Sequence, residues 1–438
     1  MTHSKPRTAP STRYAASEKF LQRAERVIPL GSQTFSKSRT QFPLGVSPLF
    51  ADRGEGAYLY DIDNNRYLDF ICSLGAITLG HADPDMTAAV VKQLGLGVVF
   101  SLPSRLEAEV AERIVDRVPC AEMVRFGKNG SDATAGAIRL ARAFTGRERV
   151  AVCGYHGWQD WYIGATSRHL GVPESTRALT HTIAYNDVAA LDALFNEYPG
   201  EFSALIMEPM NFVDPRPGYL SEVKSCCHKH GALLIFDEVV TGFRYAPGTA
   251  QELLGVTPDL VTLGKGLANG FPLSAIAGRA DVMKLMEEVF FSFTMGGETL
   301  SLASARACLD KQYEKDTLNA IERLGDRLKA DVGERIRTHG LEGILSIVGH
   351  PSWTLIGFAD RPGATAFELK TLYMQECFRR GILSFGVHFI SYAMTEADID
   401  FALAAYDEIF PILAAAVETG DCRRFLECEP LVPLFKVR

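Results

Sequence analysis

Apolar residues change their spacing along the chain, and the changes divide it into three stretches. From Ser17 to Val27 the positions Phe20, Leu21, Ala24 and Val27 recur at helical spacing, and Ile28-Pro29 closes the run. A β-rich stretch follows, in which Ala57–Asp61 and Tyr67–Phe70 flank Asp63-Asn64-Asn65 and predict a hairpin. After Gly80, helical periodicity over Met86–Leu94, Leu106–Val118, Ser131–Thr145, Val188–Asn196, Leu220–His230 and Ala280–Glu288 alternates with short apolar runs. Those runs are Met123–Phe126, Val150–Cys153, Ala204–Glu208, Leu233–Phe236, Leu260–Thr262 and Ser274–Gly278, and each predicts a strand. Strands alternating with helices argue for a mostly parallel α/β sheet covered on both faces.

From about Lys311 the texture changes again. A long charged amphipathic helix over Asp316–His339 precedes strands near Ile347–Gly349 and Trp353–Phe358, and then two further helices. The expected domains are an N-terminal segment (1–75), a large α/β domain (76–310) and a smaller α+β C-terminal domain (311–438). Residues 1–15 are polar and are expected to be frayed.

Composition narrows the function classes. The 438 residues are 47% hydrophobic and 22% charged, with net charge −8, so there is no basic footprint for nucleic acid or for an anionic membrane surface. The most apolar stretch, Phe401–Val417, is interrupted by Asp407, Glu408 and Pro411, and no transmembrane span is expected. Nine cysteines without a C-x-x-C pair suit neither a disulfide framework nor a zinc site, and the N-terminus lacks a secretory h-region. A reduced, cytoplasmic protein with no metal is expected.

Four segments carry candidate chemistry. Leu233–Phe236 leads into Asp237, and Leu260–Thr262 leads into Gly264-Lys265-Gly266. In a parallel sheet both ends emerge at the carboxyl edge, where ligands bind. Lys128–Thr134 places Gly130 and Ser131 at a helix start, whose free N–H groups and positive dipole suit a phosphate. Gly154-Tyr155-His156-Gly157-Trp158 places aromatic rings after another strand. Singly, these read as an ion pair, an N-cap and a loop. Together they describe a site for a flat, phosphorylated, cationic heteroaromatic aldehyde: lysine for a Schiff base, aspartate for a protonated ring nitrogen, a helix start for phosphate and Tyr155 over one face. That object is pyridoxal 5′-phosphate.

At these residues the chain resembles the class III, fold-type-I aminotransferases, and within them the glutamate-1-semialdehyde aminomutase-like branch. The resemblance runs from about Ser17 to the C-terminus and is strongest over Val124–Arg147, Leu233–Arg244, Asp259–Arg279 and Phe389–Asp400. It implies a fold-type-I α/β architecture and a homodimer whose site is built across the interface. It makes Lys265 the Schiff-base lysine and proton carrier and Asp237 the pyridinium partner. Val239 is implied on the ring face opposite Tyr155, Gly130 and Ser131 on the phosphate, and His156 beside the ring. Glu208 matches the family's Glu-Pro at a strand end, Thr294 a phosphate contact reached from the neighbouring subunit, and Asn211 a further polar contact.

Three departures bear on the reaction. Where the aminomutase carries an arginine for the substrate carboxylate, Lys37 aligns, with Arg39 close by, and lysine lacks the bidentate fork. The aminomutase's acidic residue falls on Gly386, and its glycine-rich mobile loop is replaced by the shorter Ala165–Gly171, preceded by Trp158 and Trp161. Without a lid to retain an intermediate, a two-substrate transaminase is expected, moving an amino group from a small-molecule donor to a carbonyl acceptor. The internal amino shift of an aminomutase is the alternative. Lys37, Arg39, Arg168, His169 and His388 suggest an anionic, phosphorylated or sugar-like substrate. A degenerate, non-catalytic homologue would lack Lys265 or Asp237, and both are present.

Overall fold

The structure is a computed structural model describing residues 12–433, which form two compact units. The larger comprises residues 75–79 and 83–319. Its seven-stranded sheet runs in the order Met123–Gly127, Ser274–Gly278, Leu260–Leu263, Leu233–Glu238, Phe202–Met207, Arg149–Cys153, Thr180–Thr182. Ser274–Gly278 is antiparallel to both neighbours, and the other pairings are parallel, as the alternation of strands and helices predicts.

The period of two along a strand sorts residues onto the two faces. Leu205, Met207, Leu234 and Phe236 enter one core with the helices Arg105–Val115 and Tyr219–Lys229. Ala204, Ile206, Leu233 and Ile235 enter the other, against Ala133, Ala137, Ile138 and Ala141 of helix Gly130–Thr145. Continuous apolar runs are what a sheet covered on both sides requires.

Several elements of this unit escape the sequence pattern, two of them for clear physical reasons. Thr180–Thr182 is a short polar edge strand held by parallel pairing to Val150–Val152. Helix Thr299–Glu314 is buried over much of its circumference and rich in Ser and Ala, so it shows no apolar stripe. Glu298 caps it, accepting from Leu300 N at 2.6 Å and from Ser301 Oγ at 2.6 Å.

The smaller unit comprises residues 12–74, 80–82 and 320–433. It contains a four-stranded sheet, Ala51–Glu55, Tyr58–Asp61, Arg66–Asp69 and Ile382–Leu383, and a three-stranded antiparallel sheet, Leu345–His350, Trp353–Phe358 and Val387–Phe389. The predicted hairpin is present, its turn fixed by Asp61 Oδ1, which accepts from Asp63 N at 3.0 Å and Asn65 N at 2.8 Å.

Residues expected to form separate first and last domains share this unit, because Ile382–Leu383 adds in parallel to Arg66–Asp69, a long-range pairing that local patterning does not encode. The boundary placed at 310 falls inside helix Thr299–Glu314. Of the stretch expected to fray, residues 1–11 lie outside the described residues; Thr12–Tyr14 forms a 3₁₀ turn and helix Ala15–Ala24 follows.

Candidate active site

Strand Leu233–Glu238 delivers two adjacent carboxylates to opposite faces of the large sheet. Glu238, fully buried, accepts from Thr241 Oγ1 (3.1 Å), Thr249 Oγ1 (2.8 Å), Ala250 N (2.6 Å) and Gln251 Nε2 (3.0 Å). Burial pushes its pKa up, against those hydrogen bonds, and it anchors the chain leaving the strand. Asp237 shares its face with Leu233 and Ile235. Its Oδ1 accepts from Thr262 Oγ1 and Val239 N, each at 3.1 Å, and its Oδ2 from His156 Nδ1 at 2.8 Å. Thr262 meets Asp237 because the two are register partners in neighbouring parallel strands. Three donors orient one carboxylate that is 5% exposed.

The loop after Arg149–Cys153 is pressed onto the start of helix Gly130–Thr145. Thr134 Oγ1 donates to His156 O at 2.8 Å, and Tyr162 OH to Gly154 O at 2.9 Å. A Cβ at Gly157 (φ +105°) would lie 2.3 Å from Ser131 Oγ, and one at Gly130 would lie 2.8 Å from Val239 Cγ1, so only glycine permits either approach. Asn129 and Asp132 form a capping box, Asp132 Oδ2 accepting from Asn129 N at 2.7 Å. The first N–H groups of this helix have no partners within it.

Lys265 follows strand Leu260–Leu263 in a left-handed conformation, φ +42°, which is strained for a residue with a side chain. Burial pushes its amine down from 10.5 to about 8. The Asp237 and Glu208 carboxylates oppose that shift, and Arg244 adds to it. Glu208 is itself pushed up, chiefly by burial, and accepts from Asn211 Nδ2 at 3.5 Å. Tyr155 is half-exposed, its ring edge-to-face with Tyr162 at 5.6 Å.

The structure thus sets Gly130 against Val239, bonds Val239 and His156 to Asp237, and packs Ser131 against Gly157 beside His156, with Glu208 and Lys265 in the same electrostatic neighbourhood. Thr294 lies in an exposed turn over Phe293–Gly296. In the smaller unit, the Lys37 ammonium donates to Ser73 Oγ at 3.1 Å and Arg39 pairs with Glu25. His388 is fully buried, its ring nitrogens bonded to Thr354 Oγ1 (3.0 Å) and Tyr406 OH (2.7 Å). Burial lowers its pKa to about 3, and the neutral ring belongs to the core, which corrects the expectation that it reads the substrate.

Three residues not singled out in the sequence matter here. Thr262 orients Asp237, and the alignment of the two strands could have revealed it. Arg244, 1% exposed, donates through Nη2 to Gly75 O at 3.2 Å and Thr78 Oγ1 at 3.3 Å. The buried Ser274 hydroxyl, at the end of its strand opposite Gly127, has no hydrogen-bond partner among the described residues.

The fit to pyridoxal 5′-phosphate can be judged from the donor set. His156 Nε2 is likewise buried and unpartnered among the described residues, next to an oriented carboxylate, a glycine-lined helix start and an amine near neutrality. Such an arrangement suits a cationic ring carrying an anionic group.

Comparisons agree with this reading. Residues 42–349 match the family described as Aminotransferase class-III. The chain is 36% identical over 441 residues to a glutamate-1-semialdehyde 2,1-aminomutase of Rhodopirellula baltica (strain DSM 10527 / NCIMB 13988 / SH1), covering 93% of this chain and 99% of that protein. Among solved structures it is similar to the PLP internal aldimine form of the FumI protein of Sphingopyxis sp. MTA144 (TM-score 0.85, 31% identity, 96% of this chain and 99% of that one). An omega-transaminase from Sphaerobacter thermophilus is also similar (TM-score 0.83, 27% identity, 94% and 100%). The chain therefore belongs to the class-III aminotransferases, fold-type-I enzymes that use pyridoxal 5′-phosphate.

Proposed function

We propose that this enzyme is a two-substrate transaminase, passing an amino group from a small-molecule amino donor to an anionic, phosphorylated or sugar-like carbonyl acceptor. The observation that carries the choice over an internal amino shift is Gly386. It takes φ +99°, and a Cβ there would lie 3.2 Å from Ile356 O. The backbone is built for glycine where the aminomutase pattern places an acidic side chain. The exposed Lys37, held by Ser73, replaces that pattern's arginine. The relation to the Rhodopirellula aminomutase keeps the amino shift as the second reading.

In this reading Lys265 is the catalytic amine and Asp237 the charge partner of the cofactor's ring nitrogen. Gly130 and Ser131 receive the phosphate, with Thr294 as a further contact. Tyr155 and Val239 bracket the ring, beside His156 and Glu208, and Lys37, Arg39 and Asn211 contact the substrate. Bound pyridoxal 5′-phosphate supplies a carbonyl that condenses with amines and an electron sink for carbanions. With a pKa near 8, the Lys265 amine can take the Cα proton of the donor and return it, acting as base and then as acid. The three-donor clamp keeps Asp237 in one orientation throughout.

The test is spectral. The cofactor-loaded enzyme should bleach with an amino donor alone and recover its colour with a keto acid. Turnover of one amino-carbonyl substrate without any external donor would transfer the assignment to the amino shift.

The lowered pKa adds a pH prediction. Capture of added cofactor by cofactor-free protein requires the unprotonated amine, so its rate should rise with pH and level off above about 8. A rate still climbing steeply towards 10.5, the ordinary lysine value, would contradict the burial argument.

We also propose that the enzyme is a cytoplasmic homodimer. No helix among the described residues is long and apolar enough to cross a membrane, and all nine cysteines are free thiols. Val91, Leu94, Leu96, Val99, Phe100 and Leu102 are all exposed within one short segment of the larger unit. Apolar side chains concentrated in this way suit a subunit interface. Leu102, 78% exposed, should tolerate Asp within the monomer. Leu102→Asp is expected to shift the light-scattering mass from dimer to monomer, and an unchanged dimer would place the interface elsewhere.

A further inference from the structure

We propose a second, non-catalytic site in this protein: a binding site for a zinc-like divalent cation formed by Asp192, Cys226 and His230. Cys226 and His230 stand four residues apart, one turn, at the C-terminal end of helix Tyr219–Lys229, where His230 is the cap. Asp192 comes from helix Val188–Glu197, packed alongside. His230 Nε2 lies 2.9 Å and Cys226 Sγ 3.7 Å from Asp192 Oδ1, and all three ligand atoms lie within 4.8 Å of one another.

That spacing matches a tetrahedral ion. With zinc about 2.3 Å from sulfur and about 2.0–2.2 Å from nitrogen and oxygen, the ligand atoms sit about 3.3–3.7 Å apart. Only rotamer adjustments of a few tenths of an ångström are needed for the two measured pairs. A thiolate, an imidazole and a carboxylate together select zinc or a similar borderline-soft ion over magnesium or calcium.

The scaffold around the three groups is ordered. Cys226 is 6% exposed, and His230 packs edge-on against Phe195 at 5.3 Å. Arg147 Nη1 donates to His230 O at 2.7 Å, fixing the backbone that carries the imidazole. Three protein ligands leave the fourth position for water.

Two features oppose metal binding and make the site conditional. Burial and the Asp192 charge push the Cys226 thiol up to about 11, so the ion must displace its proton: S–H breaks, an S–metal bond forms and H⁺ goes to solvent. The Lys229 ammonium also occupies Asp192 Oδ1, at 2.9 Å. Its side chain is 63% exposed and can swing into water, but until then it acts as a resident cation.

Its position separates it from the transamination chemistry. His230 immediately precedes Gly231, Ala232 and the start of strand Leu233–Glu238, whereas Asp237 lies near that strand's other end. A bound ion would clamp two surface helices at the amino edge of the sheet.

Titration of the reduced, cofactor-loaded enzyme with zinc chloride, followed by calorimetry, and with cobalt(II), followed by its visible spectrum, tests the proposal. One equivalent per chain, tetrahedral cobalt bands with a sulfur charge-transfer band, and proton release are expected. Cys226→Ser and His230→Ala should each weaken binding by more than the 10–100-fold that loss of an outer-sphere partner typically causes. Both variants should keep transaminase activity, which also certifies that they are folded. Lys229→Ala, which removes no ligand, should tighten binding. No stoichiometric uptake, uptake that survives both ligand substitutions, or affinity unchanged by Lys229→Ala would each overturn the proposal.

Discussion

Lys265→Ala is expected to lower turnover by at least about 10²–10⁴-fold, the range that a positioned proton carrier contributes, and to remove the covalent attachment of the cofactor. The side chain is the amine that the site holds near neutrality: burial lowers it to about 8, while Asp237 and Glu208 keep it from falling further. Alanine at φ +42° leaves the backbone strain in place, so circular dichroism should show an intact fold. Borohydride reduction of the wild-type holoenzyme should fix the cofactor to the peptide containing residue 265, and the variant should yield no such adduct. Full turnover in the variant, or an adduct on another lysine, would remove the basis of the site assignment.

Asp237→Ala is expected to cost both activity and stability. Val239 N, Thr262 Oγ1 and His156 Nδ1 all donate to this one buried carboxylate. Removing it leaves up to three buried donors unmet, at about 1–3 kcal/mol each before water or rearrangement compensates. Turnover should drop by about 10²–10³-fold, the usual effect of deleting one preorganised electrostatic partner. Asp237→Asn separates the two effects. Its Oδ1 can still accept from Val239 and Thr262, and its amide can donate to His156 Nδ1 in the other imidazole tautomer, but it carries no charge. Stability should recover in large part while turnover stays low. An Asn variant with wild-type turnover would show that the negative charge is dispensable.

The strands bearing these residues were legible because a sheet buried on both faces needs unbroken apolar runs, as Leu233–Phe236 and Leu260–Thr262 provide. A carboxylate or lysine ending such a run is conspicuous. The partners of Asp237 were not, since Thr262 and His156 reach it through strand register and loop packing that no local spacing encodes. The role of His388 is hidden for a related reason: it stands in the apolar run Val387-His388-Phe389-Ile390, and its partners Thr354 and Tyr406 come from a neighbouring strand and a distant helix. Helix Thr299–Glu314 was hidden by its burial, and the shared unit of the first and last segments by the pairing of Arg66–Asp69 with Ile382–Leu383. The Asp192, Cys226 and His230 cluster is not legible in the sequence because its third member sits on a different helix.

The reversed strand of the large sheet has a consequence for biosynthesis. Met123–Gly127, which leads directly into the helix start at Gly130, has among the described residues no neighbour in the sheet except Ser274–Gly278. On the ribosome, where chains fold as they emerge, this edge must wait unpaired until residues 274–278 leave the exit tunnel. Lys265 precedes that partner strand in the chain, so coenzyme loading would follow translation of both, and a truncated nascent chain would offer vitamin B6 no finished harbour.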